Sequence, residues 1–475
     1  MKSFGNIAKD GQVRAVASGA LTDGKAVIVN SNGTVSVVAG SAASVGTAAP
    51  APWAGYGGLD VAVLPTTSKF VGFAQGDTSD DGGAAVGTVS GTSISFGSRV
   101  TISDYFENNT IVGLSSTKCV VLYTDYNDSN KGKAIVGTIS GTSISFGSPV
   151  VFETGQTNLA KLSHSTRLSD TKLVMVFTDT SDSSKAKAIV GTVSGTSISF
   201  GSAATFGTSN SSLYSIVSAF SDTKVIIAWQ DTANTRDRAI VGTVSGTSIS
   251  FGTAVTYASA SVRHHSVNTL SDSKFVLAYQ DNSNSSYGTA VIGTISGTSI
   301  TLGTPVVFQA ATLSNKPPSV TKLDSTNFVI AFRDTQNSNY GALIQGTVSG
   351  TSISYETKVV FTSHTSTENW TTTVNDTVVI GYNKETSPAA LQAVTYSPPS
   401  TNLTTENFIG FSDGAFATTQ SAAINTTNTI DRNQSGLTAG QTYFVQNNGT
   451  IGTTAADPSV TAGTAISATE LIVKG

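Results

Sequence analysis

Cysteine is almost missing from this chain. Cys119 stands alone in 475 residues, so no disulfide can form within the chain, and stability has to come from packing and strand pairing. Charge is scarce as well. Asp, Glu, Lys and Arg make up 12% of the residues, about half the ~25% of ordinary globular domains. The 26 Lys and Arg against 30 Asp and Glu leave a net charge of −4, which disfavours a sequence-independent grip on nucleic acid phosphates. No stretch approaches the ~20 apolar residues of a membrane span, and the opening MKSFGNIAKDGQVRAVASG lacks the ~7–15-residue apolar core of a secretory signal. A soluble product of the cytoplasm is expected, and work outside a cell would need an export route other than general secretion.

What is present is small and apolar. Gly, Ser, Thr and Ala crowd the chain, while a hydrophobic fraction of 39% supplies enough material for packed cores, so the chain is not disordered. At ~150 residues per domain the length allows about three domains, although a large all-β architecture can absorb several hundred residues as one.

Internal repetition is the strongest signal. The segment GTxSGTSISFG recurs with its central glycine at Gly91, Gly141, Gly195, Gly246, Gly297 and Gly350, in steps of 50, 54, 51, 51 and 53 residues. Upstream of each copy lies an apolar run: Lys69–Phe73, Lys118–Tyr123, Lys172–Phe177, Lys224–Trp229, Lys274–Tyr279 and Asn327–Phe332. A seventh run, Thr377–Tyr382, is followed by Ala389–Tyr396, which matches the AIVGTVS stretch but stops before GTSISFG. Each unit reads as four strands, in the sixth 319–323, 328–332, 342–348 and 352–361, with the second a nearly continuous apolar run suited to a strand covered on both faces. Four-stranded units of this length, radially repeated, describe a β-propeller, which hides sheet edges by closing a ring. A linear β-solenoid has much shorter turns. Counting second strands gives seven blades, of which the last lacks its outer strand. Ala43-Ser-Val-Gly-Thr47 resembles a degraded Ser-Ile-Ser-Phe-Gly and is expected to close the ring, which then runs over 43–398.

Outside the ring lie 1–42 and 399–475. They resemble one another, since Leu21-Thr-Asp-Gly24 with Asn32-Gly-Thr34 echoes Leu437-Thr-Ala-Gly440 with Asn448-Gly-Thr450, each a strand-turn-strand pattern with an Asn-Gly hairpin signal. The expected organisation is all-β: a seven-bladed propeller of ~51-residue repeats inserted into one small base domain built from both ends of the chain.

The C-terminal residues carry a family resemblance. Asn407-Phe-Ile-Gly-Phe-Ser-Asp-Gly414, Ser435-Gly-Leu-Thr-Ala-Gly-Gln-Thr-Tyr-Phe-Val-Gln446, Asn448-Gly-Thr450 and Thr464-Ala-Ile-Ser-Ala-Thr-Glu-Leu-Ile-Val-Lys-Gly475 resemble the end module of virion structural proteins of marine tailed bacteriophages, of tail-fibre or capsid-fibre and decoration type. Val27-Ile-Val-Asn-Ser-Asn-Gly-Thr-Val-Ser-Val-Val38 looks like the other half of that module, and the GTVSGTSISFG units look like repeats of phage fibre proteins. The resemblance covers about a quarter of the chain. It implies a virion component released by lysis; together with the asymmetry of the loops described below, the expected protein is anchored through the terminal domain to other virion proteins, is present in several copies and presents the propeller to a host-surface glycan or protein. Membrane insertion and nucleic acid binding are not expected. Alternatives are a mainly structural capsid fibre or decoration protein and a polysaccharide-degrading tail protein.

Within the ring the two sets of loops differ. The SGTS turns are nearly identical, whereas the opposite face carries the dissimilar turns Asp77–Gly83, Asp125–Lys133, Asp179–Lys187, Asp231–Arg238, Asp281–Gly288 and Asp334–Gly341. The blade-to-blade connections on that face supply the candidate binding residues Trp53, Tyr56, Tyr105, Phe106, Tyr214, His264, His265 and Trp370, whose aromatic and polar groups suit glycan stacking or protein contact. The alternative for any one of these rings is that it fills a gap between blades. Asp125, Asp179, Asp231, Asp281 and Asp334 each follow the terminal aromatic of strand two by two residues, where a carboxylate accepts hydrogen bonds from its own turn, and blade seven breaks the series with Lys384. Calcium is the sharper alternative for the clusters at Asp125–Asp128 and Asp179–Asp182, but the closing Glu of an EF-hand is absent. His164, His264, His265 and His364 all precede first strands, yet belong to three different blades, so no metal is assigned. No acidic pair stands out for glycoside hydrolysis, and the SGTS glycines lack the Lys and helix of a phosphate loop. No catalytic residue and no cofactor are expected.

Overall fold

A computed structural model describes every residue except 1–6, 9–10, 55–59, 75–81, 103–105, 159–164, 208–212, 260–263, 314–315, 386–389, 457 and 475. The described chain is all-β and divides into two compact units, 1–44 with 398–475, and 45–397.

In the first unit the two ends of the chain share one sheet. Gln12–Val16 pairs antiparallel with Ser421–Asn425, and Ala26–Val29 pairs with Phe408–Ser412. Ala26, Ile28 and Val38 then bury against Phe411, Tyr443, Val445 and Leu471, so neither end has a complete core without the other.

The second unit repeats one antiparallel sheet. In the third repeat Ser165–Ser169, Lys172–Asp179, Lys185–Ser194 and Ser197–Phe200 follow in order. The second strand is apolar throughout because both its faces are covered. Leu173, Met175 and Phe177 pack toward the preceding repeat with Phe152, while Val174 and Val176 pack toward the following one with Val225 and Ile227. The core therefore lies between neighbouring sheets, and each such side chain contributes about 1.5–3 kcal/mol on burial.

The fourth strand is not one continuous strand. Ser197–Phe200 pairs with the second half of Lys185–Ser194, and Ala204–Gly207 pairs with its first half. The break falls at Gly201, where a Cβ would run into the carbonyl of Thr247 in the next repeat's SGTS turn. Gly97, Gly147, Gly252 and Gly303 stand in the same relation to Thr142, Thr196, Thr298 and Thr351. Glycine is required here by close approach of two backbones. In the SGTS turns it is required by conformation, since Gly91, Gly141, Gly195, Gly246, Gly297 and Gly350 all have φ between 56° and 63°.

Closure uses the same device. Ser44–Val45 and Ala49–Ala54 both pair with Ala390–Ser397, Gly46 N–H donates to Thr395 O at 2.9 Å, and a Cβ on Gly46 would meet the carbonyl of Thr92. Residues near the start of the repeats thus complete the sheet of Thr377–Lys384.

The first strands contact one another in succession. Asp60–Val63, Phe106–Ser115, Ser165–Ser169, Leu213–Ser221, His265–Ser271, Ser319–Lys322 and Val359–Val374 each touch the next, and the last touches the first. Side-chain oxygens stitch these seams. Ser218 Oγ accepts from Thr269 N–H at 3.1 Å, Ser266 Oγ from Val320 N–H at 3.1 Å, Ser319 Oγ from Thr371 N–H at 3.0 Å and Thr372 Oγ1 from Val63 N–H at 3.2 Å.

Candidate functional site

One seam departs from the hydroxyl pattern. Asp60 opens a first strand, and its Oδ2 accepts from Ile111 N–H at 2.9 Å, doing with a carboxyl what Ser266 and Ser319 do with a hydroxyl. Only 9% of Asp60 is exposed, and the loss of water pushes its carboxyl up from 3.8 to about 7, against the opposing pull of the Ile111 and Val61 N–H groups and Thr110. Asp60 lines a cavity of ≈ 330 Å³ together with Thr110, Ser165, Arg167, Trp370 and Thr371, all from first strands that converge on the ring axis. The Arg167 guanidinium is engaged, with Nη2 at 2.6 Å from the Asp170 carboxylate and Nε donating to Leu114 O.

Trp370 belongs to this wall and not to an exposed connection. It is 9% exposed within Val359–Val374, and its Nε1 is buried without a hydrogen-bond partner among the described residues. The polar run TSHTSTENWTT over 362–372 disguises a long strand: residues 359–365 extend the sheet of Tyr340–Ser349, and 366–374 form the first strand of the next. His265 is likewise no surface group. It is fully buried, its Nε2 lies 2.5 Å from Tyr214 O, its ring meets Tyr257 edge-on at 6.1 Å, and burial drives it down from 6.5 to about 4. Both residues fill the space between sheets, because each sits on a first strand flanked by two neighbours.

Tyr214 and His264 are half-buried, 5.5 Å apart between ring centroids, and both hold positive φ, 65° and 67°. Trp53 lies in Ala49–Ala54 and Phe106 in Phe106–Ser115, with backbone alone described, while Tyr56 and Tyr105 lie outside the described residues. Of the four candidates whose side chains are described, Trp370 lines the cavity, and Tyr214, His264 and His265 cluster between the fourth and fifth sheets. His364 stacks on Tyr382 at 5.9 Å, away from the other described histidines, and His164 lies outside the described residues.

Four of the five turn aspartates hold their own turns through backbone N–H groups, whereas Asp231 caps none and takes the Asn234 side-chain N–H at 2.9 Å. Asp125 Oδ1 accepts from Asn127 and Asp128 N–H, Asp179 Oδ1 from Ser181 and Asp182 N–H, Asp281 Oδ1 from Ser283 N–H and Asp334 Oδ1 from Gln336 N–H. Lysines take the second oxygens: Lys133 Nζ is 2.6 Å from Asp125, Lys187 Nζ 2.6 Å from Asp179 and Lys358 Nζ 2.6 Å from Asp334. Burial pushes the Asp179 carboxyl up, but Lys187, Ser181 and the Asp182 N–H outweigh it and hold it below the usual carboxylate range. Among the described residues no three His, Cys, Asp or Glu side chains gather as a metal would need.

Sequence alone singles out neither Asp60 nor the cavity. The signal lies in the register, since an acid occupies the position that serine takes in the fifth and sixth repeats.

No family model and no curated protein matches this chain. Solved structures match it in shape. BP39L lectin from Burkholderia pseudomallei superposes with a TM-score of 0.51 at 7% identity, over 73% of this chain and 98% of the lectin. The second unit is a repeat-built β-propeller. Trypanosoma rangeli sialidase gives a TM-score of 0.42 at 12% identity, covering 82% of this chain and 60% of the sialidase. The subtype N10 neuraminidase-like protein of A/little yellow-shouldered bat/Guatemala/060/2010 gives 0.41 at 11% identity, over 74% and 96%. The likeness is one of fold, and a propeller is compatible with binding and with catalysis alike.

Proposed function

We propose that this chain is a bacteriophage virion surface protein whose terminal unit attaches to the particle and whose seven-bladed propeller contacts glycan on the host surface without cleaving it. The observation that carries the reading is the pairing of the two ends: the segments that resemble the phage end module, around Val27–Val38 and Asn407–Gly414, share one sheet, so the propeller is an insertion into the anchor. Non-catalytic binding is supported by the axial cavity, where Asp60 is the sole carboxylate among the described lining residues, whereas glycoside hydrolysis uses two. In this reading the partners are other virion proteins, further copies of the chain and host glycan, and the site of action is the released particle.

Antibody against the chain, imaged on purified intact phage particles, tests the anchoring: labelled particles are expected, and particles free of label would overturn it. Release of reducing ends from host polysaccharide by the purified chain would overturn the non-catalytic part.

A further inference from the structure

Because the repeats share one register, equivalent positions can be compared around the ring. Opposite the fifth residue of the second strand stand Asp60, Thr110, Ile216, Ser266, Ser319 and Trp370. The residues facing this position are Phe73, Leu122, Ala228, Ala278, Ala331 and Gly381 in turn, so the Trp370 indole stands opposite a glycine. The two largest departures at this position, an acid and an indole, fall on strands that touch across the ring closure, and both line the same cavity of ≈ 330 Å³.

The seam does not need an acid, and Trp370 packs into the core between sheets while it also lines the cavity. The bond that Asp60 accepts from Ile111 N–H is made elsewhere by the hydroxyls of Ser266 and Ser319, which carry no charge to desolvate. Trp370 brings an N–H that finds no partner among the described residues, a state that the smaller Thr110 and Ser319 avoid. Two polar groups, each more costly to bury than its counterparts, thus meet on one cavity wall. A ligand that offers hydroxyls would satisfy both.

We propose that the axial cavity binds a single sugar unit, with Asp60 and Thr110 taking its hydroxyls, the Trp370 N–H donating to a sugar oxygen and the indole covering its apolar C–H face. This deepens the glycan-contact reading by naming the place of contact. The chemistry favours a neutral sugar over an ion. Among the described residues Arg167 is the one cationic side chain on the wall, and it is already engaged by Asp170 and Leu114 O; nor do any three described His, Cys, Asp or Glu gather as metal ligands. The volume lies at the small end of the roughly 300–1,000 Å³ of ligand pockets, which suits one saccharide unit rather than a chain.

The test titrates the full chain with D-glucose, D-galactose, D-mannose and N-acetyl-D-glucosamine, followed by calorimetry and tryptophan fluorescence. At least one sugar is expected to bind. Asp60→Ser, which restores the residue of the fifth and sixth repeats and keeps the seam bond, should weaken that binding at least about tenfold, and Trp370→Phe should weaken it several-fold. Melting curves of each variant check folding, and Asp60→Asn serves if the serine variant fails to fold. Absence of binding by every sugar, or binding unchanged in the folded Asp60 variant, overturns the proposal. Adhesion of the chain to host cells is measured in parallel: adhesion that persists in the Asp60 variant overturns the cavity as the contact while leaving the surface-attachment reading intact.

Discussion

Asp60→Asn should stabilise the protein, and only on the alkaline side. The amide keeps an oxygen for the Ile111 N–H but cannot ionise. In the wild-type chain burial raises the carboxyl from 3.8 to about 7, so between those values the folded state retains a proton that the unfolded state has released. A group raised in this way supports the fold fully below pH 3.8, and that support is lost as pH rises through 7. At about 1.36 kcal/mol per pKa unit the loss amounts to roughly 4 kcal/mol above pH 8 and to nearly nothing at pH 4. For a unit of 353 residues, an unfolding entropy of about 2.1 cal/mol/K per residue converts this into roughly 5 °C of melting temperature. The assay is differential scanning calorimetry of both proteins at pH 4 and pH 8.5. A variant whose advantage is the same at both values, or larger at pH 4, would refute the burial of a protonated carboxyl at this seam.

Three other substitutions test the part burial plays. His265→Gln should remove part of the chain's acid sensitivity: burial lowers the imidazole from 6.5 to about 4, so wild-type stability falls as pH drops through that window, by roughly 3 kcal/mol at pH 4, and urea midpoints at pH 7 and 4 should converge in the variant. Lys187→Met should leave the Asp179 carboxylate, 3% exposed, without its ammonium partner and cost about 3–5 kcal/mol, whereas Lys131→Met, at a half-exposed pair with Asp128, should cost under about 1 kcal/mol; equal losses in chemical denaturation would contradict the role given to burial.

The repeat period, the four-stranded unit and the doubly covered second strand were legible because each leaves a regular trace in the residues. Lys224–Trp229 is apolar at every position between its ends, and only a strand with a sheet on each side needs that. The closing strand was legible for the same reason, since Ser44-Val-Gly46 keeps the glycine that passes beneath a threonine carbonyl. The broken outer strand was not, because a glycine after Ser-Ile-Ser-Phe reads equally as a turn, and only the neighbouring sheet shows why no side chain fits. The strand position of Trp370 leaves no such trace, since the residues before it, from Ser363 to Asn369, are all polar and carry no alternation. Asp60 was invisible because its meaning depends on which residues face it across the ring, and that register exists only once the strands are paired.

The glycine under each threonine carbonyl also bears on how such a ring can be built during synthesis. Each sheet can dock on its predecessor as the chain emerges, because Gly97, Gly147 and Gly201 meet turns only about 45–50 residues further along. At the closure Gly46 meets the Thr92 turn at the same spacing, but the strand that Ser44–Val45 and Ala49–Ala54 pair with, Ala390–Ser397, follows some 350 residues later, so a nascent chain carries an unpaired sheet edge through much of its translation. A chain truncated anywhere before Ala390–Ser397 would stack its sheets yet keep that edge open, and would be prone to pair with another copy instead of with itself.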